Sequence, residues 1–199
     1  TIHRPSPTTL LNAALQAGQS AAVDDPLLFD ALVAIDTLHA RTHGLFDPAV
    51  ARGSPGWRAI AFDREAARVE ASQPVALDFG GFGKGYALDR AGAVLRDAGV
   101  GSAFLSGGES SVALLGSHPL GGAWPVAVPH PLDPEAVLVE LELEDAALSI
   151  SATVGAGAQA PGRAAMLRPS DGAIIAAPRT AIAVEPSGAQ AEAMSTALL

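Results

Sequence analysis

Four glycines in six residues, Gly80-Gly81-Phe82-Gly83-Lys84-Gly85, separate an apolar β-like stretch from a helical one. Each interior glycine costs a helix about 1 kcal/mol relative to alanine, so such a run marks a joint between elements. Val75–Phe79 reads as a buried strand before it, and Tyr86–Ala98 as a helix after it. The helix sets Ala87, Ala91, Val94, Leu95 and Ala98 on an apolar face, with Asp89, Arg90, Arg96 and Asp97 opposite. A glycine turn at a helix start can aim backbone N–H groups and the positive dipole end at an anion. Lys84 adds a full charge there and is the sole lysine in a chain whose other 11 basic residues are arginine. The run is not a P-loop, because Gly85 follows the lysine, and not G-x-G-x-x-G, because Tyr86 takes the last glycine position. Two readings stay open: an anion cradle, or a turn that lets strand and helix pack closely.

Upstream, Thr8–Gln16 reads as a short helix closed by Gly18. Asp25-Pro26 supplies an N-cap and first-turn proline for a longer helix through Arg41, with Leu28, Leu32, Ile35 and Leu38 on one face and Gly44 ending it. Trp57–Val69 carries short β-like pieces. Downstream, strands are expected at Ser102–Ser106, Ser110–Leu115, Trp124–Val128, Val137–Leu143, Ala147–Ser151, Ala165–Leu167, Ala173–Ala176 and Ala181–Val184, before a short helix from Ala189 to Leu199. Mostly consecutive strands with helices at start, middle and end predict an α+β fold, a mainly antiparallel sheet flanked by helices. No repeat or linker divides the chain, so residues 1–199 read as a single domain.

The 49% apolar content fits a core-building chain. A net charge of −9 excludes a phosphate-backbone surface and with it nucleic acid as the main partner. The absence of cysteine removes disulfides, thiolate metal sites and cysteine nucleophiles. No apolar run reaches the roughly 20 residues of a bilayer span. The chain begins at Thr1 rather than Met, as expected of a mature or trimmed fragment.

Glu192 and Thr196 lie four apart on one helical face and can offer two oxygens to a hard cation such as Mg²⁺. On spacing alone, Glu and Thr four apart are solvated surface far more often than ligands. His39 and His43 are also four apart, but no carboxylate follows at zinc-site spacing, and a helix C-terminus favours protonated histidine. Asp47, before Pro48, reads as a turn residue. Ser106-Gly-Gly-Glu-Ser110 lacks a nucleophile elbow.

Taken in order, these pieces resemble the ApbE family of flavin transferases, the FAD:protein FMN transferases. Thr42-His-Gly-Leu-Phe-Asp-Pro-Ala-Val50 is similar to the family's T-x-G-x-F-D-P-T-V, and Leu77-Asp-Phe-Gly-Gly-Phe-Gly-Lys-Gly-Tyr-Ala-Leu-Asp89 to its D-L-G-G-I-A-K-G-Y-A-V-D. Phe104–Glu109, Trp124–Pro131 and Ala191–Leu198 resemble N-L-G-G-D, W-x-V-x-I-x-D-P and A-D-A-L-A-T-A-L, with glutamate for aspartate at positions 109 and 192. The likeness runs from about Arg4 to the end and lacks the family's N-terminal strand segment and C-terminal tail.

The resemblance implies an ApbE-like, T-fold-like domain that binds FAD as substrate. It implies that Mg²⁺ polarises the pyrophosphate while a Thr or Ser hydroxyl of an acceptor protein attacks the FMN phosphorus and AMP leaves. It assigns Glu192, Thr196 and the Gly83 carbonyl to the metal, and Asn12, Asp78, Gly81, Lys84, Tyr86 and Glu109 to the flavin nucleotide. Family members are often exported and lipid-anchored, which the resemblance implies for this chain only if a leader was removed. The family's H-I-I-D-P-R-T-G is replaced by Ala165-Met-Leu-Arg-Pro-Ser-Asp-Gly172, so Ala165 stands where the proton-accepting histidine belongs. T-S-G-D-Y is reduced to Ile150-Ser-Ala-Thr-Val154. These departures leave two alternatives to transfer: a noncatalytic FAD-binding module, and a Mg²⁺-dependent FAD pyrophosphatase with water as nucleophile.

Overall fold

A computed structural model describes residues 5–108, 110–155 and 166–199, so Glu109 and Ala165 lie outside the described residues. The chain forms two compact units, one from Thr1–Gly80 with Leu167–Ile174, the other from Gly81–Met166 with Ile175–Leu199. Every named strand pairing is antiparallel, in sheets flanked by helices, which is the α+β architecture expected.

In the first unit, helix α1 (Pro7–Gln16) starts where the Ser6 hydroxyl accepts the Thr9 N–H. Helix α2 (Pro26–Arg41) starts where Asp25 accepts the Leu28 N–H at 2.8 Å. Leu28, Leu32, Ile35 and Leu38 are buried, as their spacing predicts. The Gly44 N–H returns to the His39 carbonyl at 2.8 Å and closes α2. Strands β1 (Ala21–Ala22), β2 (Ile60–Asp63) and β3 (Arg68–Ala71) form a sheet in the order β1-β3-β2, with a 3₁₀ turn over Gly56–Ala59 before β2.

Two expected strands do not form, the first in this unit and the second running from it into the other. Val75–Phe79 is not a strand, although Val75 and Leu77 are buried. Its backbone is served otherwise: Leu77 exchanges two bonds with the Asn12 amide, at 2.7 and 2.8 Å, and the Asp78 N–H donates to the Pro48 carbonyl. An extended segment satisfied by a side chain and a loop carbonyl needs no ladder. Likewise, Ala173–Ala176 forms no strand; Leu167 meets Ile174 in a single antiparallel bridge across a turn in which the Gly172 N–H returns to the Arg168 carbonyl.

Asp47 does more than end a turn. Its carboxylate accepts from the Ala49 N–H and, through both oxygens, from the buried Trp57 N–H. The Trp57 indole N–H donates to Asp36, which also pairs with Arg64. His39 lies 3.9 Å from Asp47. Burial holds its pKa below the ordinary histidine value, outweighing the upward pull of Asp47; Arg58 adds to the lowering and Asp36 opposes it. A protonated His39, expected from the helix end, is therefore disfavoured, because desolvation prevails over the dipole.

The second unit is built on helix α3 (Gly83–Asp97), a four-stranded sheet and helix α4 (Gly188–Ala197). The sheet runs β4 (Ala103–Ser106), β5 (Ser111–Leu115), β8 (Ala147–Ala152), β9 (Thr180–Glu185), and a hairpin of β6 (Trp124–His130) and β7 (Asp133–Leu143) stands beside it in sequence. In β7 the half-buried Val139, Leu141 and Leu143 alternate with exposed Glu140 and Glu142, as the pattern predicts.

Helix α3 begins three residues earlier than expected, since the Phe82 carbonyl already accepts the Tyr86 N–H at 3.0 Å. It also turns another face inward. Gly85, Leu88 and Gly92 are buried, while Val94 is 67% exposed. The glycines carry the contact because they have no side chain: a Cβ on Gly85 would stand 2.0 Å from the Gly188 carbonyl oxygen, so α3 and α4 touch backbone to backbone. Leu88, Ala113, Ala147 and Ala191 pack together in the space left by these small residues.

Candidate functional site

The second unit brings together five of the positions singled out from sequence: Gly81, Gly83, Lys84, Glu192 and Thr196. Gly83 is the first residue of α3, and Lys84 follows in its first turn. Glu192 projects from α4 and is 3% exposed, an unusual burial for a carboxylate. The α3–α4 backbone contact sets these side chains facing each other. Lys84 Nζ lies 3.1 Å from Glu192 Oε1 and donates to the Ser110 and Ser111 hydroxyls at 2.7 and 2.9 Å. The Ser111 hydroxyl in turn donates to Glu192 Oε1 at 2.6 Å.

Glu192 Oε2 is buried with no hydrogen-bond partner among the described residues. A buried carboxylate oxygen left bare is costly, and a cation or water that it binds relieves that cost. Thr196, one turn on, lies so close to Gly81 that a Cβ there would stand 2.8 Å from its Oγ1. Any side chain at position 81 would push the threonine hydroxyl away. The donor set is hard oxygen, which suits Mg²⁺. Among the described residues no cluster of three His, Cys, Asp or Glu side chains could hold a metal. One carboxylate with neutral oxygens is nevertheless how Mg²⁺ is commonly held when phosphates and waters complete its shell. The residues present fit that ion.

Helix α4 is fixed at its start by Asp89 of α3. The Asp89 carboxylate accepts from Ser187 Oγ and from the Gly188 and Ala189 N–H groups at 3.0, 2.6 and 2.9 Å. Beneath α4, Ser195 bonds Ser149 and Ser151, so its buried face carries a polar row. Tyr86 stacks on Phe82, centroids 5.2 Å apart. Asn12 and Asp78 belong to the first unit. The Asn12 amide is spent on Leu77, and Asp78 accepts the Gly80 N–H at 2.8 Å.

Sequence reasoning missed Ser110, Ser111 and Asp89. The signal for Ser111 was present: in the alternation of β5 it shares the inward face with Ala113 and Leu115, and a serine there needs a buried partner. Asp89, placed on the solvent face, shows how an acidic side chain on one helix can cap another.

This helix-flanked antiparallel fold is shared with solved ApbE proteins. It superposes on the ApbE protein of Thermotoga maritima with a TM-score of 0.79 at 22% identity, covering 96% of this chain and 69% of that one. It superposes on the apo form of the flavinyl transferase ApbE of Pseudomonas stutzeri with a TM-score of 0.75 at 22% identity, covering 100% and 69%. In sequence it is 36% identical over 155 residues to the FAD:protein FMN transferase of Rhodobacter capsulatus, covering 65% of this chain and 29% of that protein. The chain thus spans less than a third of that relative's length. Residues 51–199 match the ApbE family, and the chain belongs to it.

Proposed function

We propose that this chain is a flavin transferase domain that takes FAD as substrate and moves FMN to a hydroxyl of an acceptor protein, releasing AMP. The observation that carries the reading is the bare, buried Oε2 of Glu192 beside the Lys84-bearing start of α3, in a member of the ApbE family. Glu192, Thr196 and the Gly83 carbonyl would hold Mg²⁺, which when bound neutralises charge on the phosphate oxygens and the leaving group. The start of α3 turns its N–H groups and dipole toward the pyrophosphate. Lys84 supplies positive charge to the same region, and Gly81 keeps the approach open. Asn12 and Asp78 hold the segment that leads into the glycine run, with Tyr86 and Glu109 assigned to the nucleotide. The acceptor Thr or Ser oxygen bonds to the FMN phosphorus as the bond to AMP breaks. The hydroxyl proton passes to water, because Ala165 offers no base; loss of a general base slows such a step by about 10² to 10⁴.

The test is chromatography of the nucleotides after incubating the chain with FAD, Mg²⁺ and a flavin-acceptor domain, beside a metal-free control. AMP with flavin covalently on the acceptor is the expected result. AMP with free FMN would show hydrolysis by water, the outcome that Ala165 favours among the alternatives. Intact FAD would leave a noncatalytic FAD-binding module.

A further inference from the structure

We propose that Ser111 is a positioning residue that locks the Glu192 carboxylate so that a single oxygen, Oε2, is offered to a divalent cation. The proposal rests on the reading of Glu192 as a cation ligand. Ser111 is the first residue of β5 and only 2% exposed. Its hydroxyl donates to Glu192 Oε1 at 2.6 Å and accepts from Lys84 Nζ at 2.9 Å. The ammonium reaches the same oxygen directly at 3.1 Å and spends its remaining proton on Ser110. An ammonium has three protons, so Lys84 is saturated by Ser110, Ser111 and Glu192.

Both attachments load Oε1, and neither touches Oε2. Rotation of the carboxylate about its terminal bond would break a short hydrogen bond and an ion contact together. The cation therefore meets one oxygen in a fixed direction instead of a chelating pair. Mg²⁺ demands near-ideal octahedral geometry, and one-oxygen ligation leaves positions for phosphates and water. The chain Lys84–Ser111–Glu192 also polarises along its length, because the serine accepts from a cation and donates to an anion. Without Ser111 the ammonium is free to swing across to Oε2 and compete with the metal.

The experiment titrates the full chain with Mn²⁺ alone, following the free-ion EPR signal, with thermal unfolding recorded for each protein. Loss of an outer partner of a metal ligand typically costs 10- to 100-fold in metal affinity. Ser111→Ala is expected to weaken Mn²⁺ binding about tenfold while still unfolding cooperatively, and Ser111→Thr, which keeps the hydroxyl, to restore it to within about threefold. Ser149→Ala, which removes a hydroxyl from the same row but not from Glu192, is expected to bind as wild type. If Ser111→Ala does not fold, Ser111→Cys keeps the shape with a weaker donor, and weakened binding is expected of it too. Wild-type affinity in the Ala or Cys variant, or an equal loss in Ser149→Ala, overturns the brace. A wild-type chain that binds no Mn²⁺ overturns the cation reading itself, and the brace with it.

Discussion

Replacing Gly85 with alanine tests how the fold creates the site. The added Cβ would stand 2.0 Å from the Gly188 carbonyl oxygen, 2.2 Å from its carbon and 2.8 Å from the Ala189 nitrogen. These obstacles are backbone atoms, which no rotamer change can move. Restoring ordinary contact near 3.4 Å requires α3 and α4 to part by about 1.4 Å. Overpacking of this kind costs about 1–3 kcal/mol. The same displacement stretches the Asp89 bonds to Ser187, Gly188 and Ala189, and a hydrogen bond to a charged group contributes about 1.5–3 kcal/mol. Alanine's better helix propensity offsets about 1 kcal/mol. The net loss is about 2–4 kcal/mol, which for a chain of this size lowers the melting temperature by roughly 5–15 °C. Circular dichroism melts read this directly, with Gly101→Ala as control, since nothing lies within 4 Å of a Cβ there. Because Lys84 and Glu192 ride on the two helices, Mn²⁺ affinity should fall as well. A Gly85→Ala protein that melts within 2 °C of wild type, or higher, refutes the backbone-contact argument.

Lys84→Ala is expected to weaken FAD binding by equilibrium dialysis; unchanged affinity would remove Lys84 from the site. Asp47→Ala leaves the buried Trp57 N–H and the Ala49 N–H unpaired, so urea unfolding should show a loss of about 2–6 kcal/mol, at about 1–3 kcal/mol per orphaned donor. His39 has a folded pKa below its unfolded value of about 6.5, so the unfolded chain binds more protons just below that pH. The associated stability is present above about pH 6.5 and is lost as pH falls toward the folded pKa. The urea midpoint of His39→Gln should depend less on pH than that of wild type between about pH 7 and 5, and an identical slope would contradict the assignment.

Much of this was legible in the chain. A capping residue and leucine spacing located α2, a closing glycine marked the end of α1, and strict alternation located β7, because these signals are local. The glycine run announced a joint but concealed its geometry. Glycine carries no hydropathy, so the face of α3 that meets α4 looked empty, and the alanine-rich opposite face was chosen instead. Val75–Phe79 has the composition of a strand; that its backbone is satisfied by Asn12, 65 residues away in sequence, is a tertiary fact. At the site, Lys84, Glu192 and Thr196 were legible through spacing and resemblance. Ser111 was not, because its role depends on β5 pairing with β8 beneath a helix 81 residues downstream.

The most direct test compares FAD affinity with and without Mg²⁺ in the wild-type chain and in Glu192→Ala, by quenching of flavin fluorescence. If the buried carboxylate anchors the cation that meets the pyrophosphate, Mg²⁺ tightens FAD binding to the wild type and has no effect on the variant. The same Mg²⁺ dependence in both proteins, or none in either, would contradict that role for Glu192.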